Sequence, residues 1–210
     1  MHANRPLSGF SVAAAAAIAV AALATGCGDA TSHDGGHTTS PSAAAGSSPA
    51  ALHNQADISF AQGMIPHHQQ AVEMAEVASS RAGDPQVKAL AADIAAAQGP
   101  EIETMTTWLT EWGAPLPTED PDPHGGAHGE AHDMPGMMTG QEMAALADAE
   151  GDQFDRMFLE MMIRHHEGAV EMAAIEQQQG RHPAAKALAE KIHADQTSEI
   201  ALMRDLLDGR

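Results

Sequence analysis

A twelve-residue pattern that occurs twice constrains the fold of this chain more than any other feature. The first copy, MIPHHQQAVEMA, spans residues 64–75, and the second, MIRHHEGAVEMA, spans residues 162–173, 98 positions later. The same offset aligns further residues without a gap, so the repeats extend over 57–109 and 155–207. A repeat of this length indicates a duplicated structural unit, and two units this small would share one core. We therefore expect a single domain over residues 53–210.

Each repeat has the sequence pattern of two helices joined by a short turn. In the first repeat, Asn54 and Asp57 are candidate caps, and apolar residues between positions 60 and 75 recur at helical spacing. Residues 82–85, Ala-Gly-Asp-Pro, are typical of a helix end followed directly by an N-cap and a first-turn proline. Because the turn is short, the two helices should be antiparallel neighbours. The sequence thus predicts an all-α protein, a four-helix bundle made of two repeated helical hairpins.

Polar residues interrupt the predicted buried faces of both hairpins at one level. The first histidine pair, His67 and His68, falls on the buried face of its helix, and two polar residues fall within the apolar face of the next helix. Counting residues from the centre of the turn places Gln98 opposite His67 and Glu101 opposite Met64. The second repeat has the same pattern. The predicted polar layer contains Met64, His67, His68, Gln98, Glu101, Met162, His165, His166, Gln196 and Glu199.

This layer needs a physical explanation, because burying polar side chains is costly unless they pair with each other or with an ion. One interpretation is a hydrogen-bond network that fixes the register of the hairpins, with methionines filling the core. The other is a metal site, and its imidazole and thioether ligands favour copper, in particular Cu(I). A di-iron oxidase is a weaker alternative, since no Glu-x-x-His pattern aligns with the layer. In a metal site, the additional ligands or the groups that hold the ligands would be Gln98, Glu101, Gln196 and Glu199.

The connection between the repeats, residues 111–139, is long and rich in Pro, Gly, His and Met. We interpret it as a flexible crossover whose side chains could add metal ligands. These candidate ligands are His124, His128, His132, Met134, Met137 and Met138. At the end of the connection, Thr139 with Glu142 predicts a capping box for a short helix. Asp152 with Asp155 then predicts the start of the helix that carries the second histidine pair.

The first part of the chain predicts export from the cytoplasm. Residues 1–26 combine Arg5 with an apolar run that is typical of a signal peptide. The run ends in Leu-Ala-Thr-Gly before Cys27, which resembles a bacterial lipobox. We therefore expect a lipid anchor at Cys27 that holds the protein on the cell membrane, with ordinary secretion as the alternative. Residues 27–52, rich in Ala, Ser, Thr and Gly, predict a disordered tether.

The charge and composition of the chain limit the classes of molecule that it can bind. The formal net charge of -19 would repel phosphate backbones, which argues against nucleic acid and favours cations. The chain has 13 methionines and 13 histidines, and these are the neutral side chains that bind soft and borderline metals. Because Cys27 is the only cysteine, an intramolecular disulfide is excluded and the usual nucleophile of thiol chemistry is missing from the repeats. A metal ion is therefore the expected partner, and we expect binding without catalysis.

The doubled Met-Ile-x-His-His-x-x-Ala-Val-Glu-Met-Ala motif, with a Phe four residues before each Met, resembles the family called domain of unknown function 305. The resemblance covers roughly residues 53–208 and implies a ferritin-like four-helix bundle in the cell envelope. Some members of that family are linked to copper binding and copper tolerance. Matched onto this chain, the motif implies the metal ligands Met64, His67, His68, Met74, Met162, His165, His166 and Met172.

Overall fold

Five helices make up the part of the chain that the structure, a computed structural model, describes: residues 52–117 and 134–209. The helices are α1 (Gln55–Arg81), α2 (Pro85–Glu111), α3 (Gly140–Asp148), α4 (Gly151–Gln179) and α5 (Pro183–Asp208). The four long helices confirm the predicted all-α bundle of two hairpins. None of the described helices combines the length and the apolarity that crossing a membrane requires. The predicted signal peptide, Cys27, most of the tether, and His124, His128 and His132 lie outside the described residues.

Three helices begin at the N-cap residues that the sequence predicts. The side chain of Asn54 accepts from the backbone N–H of Asp57, and the carboxylate of Asp57 accepts in return from the backbone N–H of Asn54, which is a capping box at the start of α1. Asp84 caps α2 and is followed by a proline in the first turn. Thr139 and Glu142 form the second capping box, at the start of α3. These helix starts are therefore encoded within a few residues of sequence.

The predicted cap of α4 is wrong. The N-cap of this helix is Glu150, without a side-chain cap bond, and the helix begins at Gly151 with a φ of 57°. Asp155 lies inside the helix, fully buried, and its carboxylate accepts from the backbone N–H groups of Gly83 and Asp84 at 3.0 and 2.9 Å. The carboxylate thus binds the turn of the other hairpin instead of the start of its own helix.

The equivalent residue of the first repeat makes the reciprocal contact. Asp57, also fully buried, accepts from the backbone N–H groups of Arg181 and His182 at 3.0 and 2.8 Å, in the turn between α4 and α5. Each hairpin therefore supplies one aspartate that caps the turn of the other. These two reciprocal contacts make α1 and α4 antiparallel neighbours and relate the hairpins by an approximate two-fold axis.

The apolar core consists of two clusters separated by the level of the histidines. Along α1, one cluster includes Phe60 and Met64, before the histidine pair, and the other includes Met74, after it. Along the antiparallel α4 the order is reversed, with Phe158 before the second pair and Ala173 after it. Apolar packing on both sides keeps the polar layer away from water. Hydrogen bonds and charge interactions within the layer are therefore stronger, and a polar group without a partner there is more costly.

One acidic pair breaks the symmetry of the two hairpins. Glu176 is 1% exposed and interacts with Asp57, whereas the equivalent residue of the first repeat is Ala78. Burial, together with the neighbouring carboxylate of Asp57, raises the pKa of Glu176 to about 8. Glu176 is therefore protonated in the folded protein at neutral pH, where it would be ionised in the unfolded chain.

Replacing Glu176 with glutamine should make the folded protein less sensitive to alkaline pH. Because the folded pKa lies above the unfolded value of 4.5, the wild type loses stability as the pH rises from about 4.5 to about 8. Glu176→Gln removes this ionisation, so its free energy of unfolding should exceed that of the wild type by about 4 kcal/mol at pH 8 and by less than about 1 kcal/mol at pH 5. Urea unfolding at the two pH values measures the difference. Glu171→Gln, on an exposed position of the same helix, is the control, and equal pH dependence in all three proteins would contradict the assignment.

Candidate metal centre

The two histidine pairs are fully buried, as the helical pattern predicts. Because α1 and α4 are antiparallel and the repeats are related by a two-fold axis, the equivalent residues His67 and His165 meet where the helices cross. Their ring centroids are 3.8 Å apart, with the rings tilted by 39°. The fold therefore places one imidazole from each hairpin in direct contact on the axis.

The other histidine of each pair is held by a glutamate of its own hairpin. His68 Nε2 lies 2.8 Å from Glu101 Oε2, and His166 Nε2 lies 2.6 Å from Glu199 Oε2, so the two interactions are equivalent in the repeat. Glu101 also accepts from Lys191 Nζ at 2.9 Å, which links α2 to α5. Both glutamates lie in the layer of the histidines, as the repeat pattern predicts.

The predicted depth of Glu101 was wrong by one helical turn. Glu101 contacts His68, whereas counting from the turn placed it opposite Met64. Side chains of an α-helix tilt toward the N-terminus of their own helix. In an antiparallel pair these tilts are opposite, so side chains that are offset along the backbone can meet. Backbone counting alone does not include this tilt.

The hydrogen bonds of the imidazoles define which ring nitrogen carries the proton and which has a free lone pair. His67 Nε2 lies 3.1 Å from the carbonyl oxygen of Pro135, and since a carbonyl only accepts, this nitrogen carries the proton. Nδ1 is then a lone-pair acceptor. In His68 and His166, Nε2 likewise faces a carboxylate and carries the proton. All four histidines have a buried Nδ1 without a hydrogen-bond partner, and His165 also lacks a partner at Nε2.

The protonation states fit metal binding. Burial, with the nearby positive charge that His68 would carry, lowers the pKa of His67 to about 3. Burial also lowers the pKa of His165 well below its usual value. Both imidazoles are therefore neutral at physiological pH, which is the form that ligates metals. A ligating imidazole typically donates its second nitrogen to a carbonyl or carboxylate, and Pro135, Glu101 and Glu199 are such acceptors.

Two methionine sulfurs lie beside Gly63 of α1, one helical turn before His67. Met64, Met74 and Met162 are fully buried, and Met172 is half-buried. At Gly63, the position that a Cβ atom would take is 3.6 Å from the sulfur of Met172 and 3.7 Å from that of Met134. The missing side chain of Gly63 thus leaves room for two thioethers, one from α4 and one from the connection between the repeats.

The donor set restricts the kind of ion. Within residues 52–117 and 134–209, no three His, Cys, Asp or Glu side chains are grouped so that they could hold a metal ion. The four imidazoles therefore do not share one centre. An ion bound by His67 and His165 would take further ligands from thioethers or backbone, and this soft donor set suits Cu(I).

The end of the connection, residues 134–138, is ordered against the bundle, and we call it the strap. It was predicted to be part of a flexible crossover. Met138 is buried, its backbone N–H donates to Gln70 Oε1 at 2.7 Å, and its carbonyl accepts from Gln70 Nε2 at 2.9 Å. Arg164 donates to the sulfur of Met138 and to Glu142. Of the predicted loop ligands, Met138 is thus fixed on α1 and α4, whereas Met134 and Met137 are half-buried.

Sequence reasoning missed the residues that hold the strap, although the repeat contains a signal for them. The two copies of the motif differ at Gln70 and Gly168, which are equivalent positions 98 residues apart, and both positions contact the strap. They also differ at Pro66 and Arg164, and Arg164 contacts the strap. Two of the three differences between the motif copies therefore lie where the strap binds, whereas at the third, Gln69 against Glu167, Glu167 pairs with Arg204 of α5.

Comparisons with known proteins place the chain among similar helical proteins. The family described as Domain of unknown function (DUF305) matches residues 57–207. A DUF305 protein from Streptomyces coelicolor, predicted to be secreted, has a crystal structure with a TM-score of 0.65 and 38% identity, covering 73% of this chain and 91% of that one. A DUF305 fragment from Deinococcus radiodurans has a TM-score of 0.65 and 33% identity, covering 75% and 98%.

The protein CopM is also similar in structure, and it has been solved with metals. Its Cu(II)-bound form has a TM-score of 0.61 and 36% identity, covering 73% of this chain and 96% of that one. Its Cu(I)-bound form has a TM-score of 0.58 and 33% identity over the same shares. An uncharacterized protein of Acanthamoeba polyphaga mimivirus is 42% identical over 55 residues, and the match spans 36% of the length of that protein and 26% of this chain.

Proposed function

The chain belongs to the DUF305 family, and from this membership and its buried histidine layer we propose that it binds copper, preferentially as Cu(I). The observation that carries the proposal is that His67 and His165, whose pKa values are lowered by burial, have buried ring nitrogens without a hydrogen-bond partner. A polar atom that is buried and unpaired is costly. A bound ion would remove this cost, whereas the metal-free fold must bear it.

The ligands proposed for the ion are His67 and His165, which lie in contact on the two-fold axis. Methionines supply the thioethers, among which Met134 and Met172 are brought together at Gly63. Such soft sulfur ligands select Cu(I) over harder divalent ions. His68 and His166, fixed by their glutamates, have the same unpaired Nδ1 and are further candidates.

The comparison with CopM supports copper as the ion. CopM has been solved in Cu(I)-bound, Cu(II)-bound and Ag-bound forms, and it covers most of the domain described here. Silver and copper share a preference for soft donors, which matches the imidazoles and thioethers of this layer. The net charge of -19 also favours the accumulation of cations near the protein.

We further propose that the protein sequesters copper outside the cytoplasmic membrane and so contributes to copper tolerance. The signal-peptide pattern of residues 1–26 and the lipobox-like sequence before Cys27 support this location. Partition in Triton X-114 tests the lipid anchor. The anchored wild type enters the detergent phase and Cys27→Ser the aqueous phase, and a wild type in the aqueous phase would instead indicate ordinary secretion.

Copper should raise the stability of the folded protein. A ligand that binds only the folded state adds about 2.7 kcal/mol at a hundredfold excess over its dissociation constant. Thermal unfolding of the purified protein, with Cu(I) buffered by a chelator, measures this gain, and equal concentrations of Zn(II) are the comparison. No change in the unfolding midpoint with Cu(I), Cu(II) or Ag(I) would contradict metal binding.

A structural role is the second candidate, and the link from His68 through Glu101 to Lys191 favours it. This chain of contacts joins α1, α2 and α5, with distances of 2.8 and 2.9 Å. Such a network fixes the register of the helices whether or not an ion binds. The two roles differ in what they predict for His67 and His165, which take no part in this chain of contacts.

A further inference from the structure

The strap covers the contact between His67 and His165, and its position suggests control of that site. We propose that the strap is a cover that closes over the histidine pair, fixes the tautomer of His67, and opens when the ion enters or leaves. This inference rests on the copper site proposed above. The evidence comes from its contacts on α1, its contacts on α4 and the chemistry of His67.

On the α1 side, side chains hold the strap at both ends. His67 Nε2 donates to the carbonyl oxygen of Pro135 at 3.1 Å. Gln70, one turn further along the helix, makes two hydrogen bonds with the backbone of Met138, at 2.7 and 2.9 Å. The amide of Gln70 thus satisfies both the N–H and the carbonyl of Met138, which a neighbouring β-strand would satisfy in a sheet. These contacts are few and local, so they can open without unfolding the bundle.

On the α4 side, the strap lies directly on the helix backbone. A Cβ atom added at Gly168 would stand 1.9 Å from the Pro135 carbonyl oxygen, closer than any non-bonded contact allows. Gly136 has a φ of 81°, and a Cβ atom there would stand 2.4 Å from the carbonyl oxygen of Arg164. The seated strap therefore requires glycine on both surfaces. The equivalent of Gly168 in the first repeat is Gln70, so only one of the two equivalent faces can accept the strap in this way.

The closed strap has a chemical effect on His67. The Pro135 carbonyl oxygen can only accept, so it selects the tautomer with the proton on Nε2 and the lone pair on Nδ1. Both rings of the pair are fully buried when the strap is seated. An ion cannot reach the pair past the strap on this face unless the strap moves. Closure therefore holds His67 ready as a ligand and retains the ion, whereas opening exposes the ring.

Gly168→Ala tests the proposal, since the added methyl group pushes the strap off α4. Gly99→Ala is the matched control, because a methyl group at this helical glycine meets no atom within 4 Å. Gln70→Ala is a second variant that releases the strap from α1 and adds no bulk. The metal-free readout is the tautomer of His67 in long-range ¹H–¹⁵N spectra, with the rate of His67 modification by diethyl pyrocarbonate. The second readout is the release of Cu(I) to excess bicinchoninate by stopped flow.

We expect the wild type and Gly99→Ala to show His67 as the Nε2–H tautomer and to release Cu(I) at similar rates. Gly168→Ala and Gln70→Ala should show mixed tautomers, modification of His67 at least about tenfold faster, and Cu(I) release faster by a similar factor. An unchanged tautomer and modification rate in both variants would overturn the proposal, as would unchanged release despite a displaced strap. If the wild type binds no Cu(I), the proposed function fails, while the tautomer and modification readouts still decide whether the strap is a cover.

Discussion

Replacing both His67 and His165 with leucine should lower the affinity for Cu(I) by about 100-fold or more, equal to about 2.7 kcal/mol, without destabilising the metal-free protein. The loss follows from the removal of the two imidazoles that meet on the two-fold axis. Neither ring nitrogen of His165 has a hydrogen-bond partner, and Nδ1 of His67 is also unpaired. The double variant therefore loses one hydrogen bond, from His67 Nε2 to the Pro135 carbonyl, and removes the three unpaired ring nitrogens, so the two effects offset each other. Exchanging buried polar groups of this kind for apolar ones is often neutral or stabilising.

Competition with a Cu(I) chelator measures the affinity, and urea unfolding of the metal-free protein measures the stability. His193→Leu, at a partly exposed position of α5, is the control for loss of a histidine outside the layer. It should bind Cu(I) as the wild type does. If the double variant kept its affinity for copper, His67 and His165 would not be ligands. If it unfolded without metal, the two histidines would have a structural role.

Replacing Asp155 with alanine should destabilise the protein by about 3 kcal/mol. Its carboxylate is fully buried and accepts from two backbone N–H groups of the turn between α1 and α2. Alanine leaves both donors without this acceptor and weakens the contact that joins the two hairpins. Asp57→Ala should have a comparable effect, because Asp57 makes the equivalent contact with the turn between α4 and α5.

Urea unfolding near neutral pH measures this loss, and Asp152→Ala is the control on the same helix. Asp152 is exposed, so its replacement should change the free energy of unfolding by less than about 0.5 kcal/mol. If Asp155→Ala were as mild as the control, the reciprocal aspartate contacts would not be what joins the hairpins. A large loss for only one of the two aspartates would contradict the two-fold equivalence.

The fold could be predicted because its main determinants are local and repeated. Helical spacing in each repeat gave the buried faces, and Asn54, Asp84 and Thr139 marked the helix starts through side chains that act within three residues. The reciprocal contacts of Asp57 and Asp155 could not be predicted in the same way. Each aspartate accepts hydrogen bonds from backbone N–H groups far away in sequence. Almost every residue has a backbone N–H, so the sequence does not show which ones donate to the aspartate.

The candidate site was predicted in composition but not in detail. The repeat placed the histidines and glutamates in one buried layer, whereas the tilt of the side chains set which of them touch. The strap was missed because its composition is that of a loop, and its order depends on Gln70 and Gly168 on two other helices. The available signal was the difference between the two motif copies, since symmetric repeats should differ only where their surroundings differ.

The ring nitrogens that bind the ion decide whether the copper site lies at the centre of the bundle. Cu(I) and Ag(I) are diamagnetic, so the ¹⁵N resonances of the histidine rings can be followed as one equivalent of either ion is added to the purified protein. We expect Nδ1 of His67 to shift strongly while its Nε2 stays protonated on the Pro135 carbonyl, and His165 to shift with it. Shifts confined to histidines outside the layer, with His67 and His165 unchanged, would contradict a copper site at the centre of the bundle.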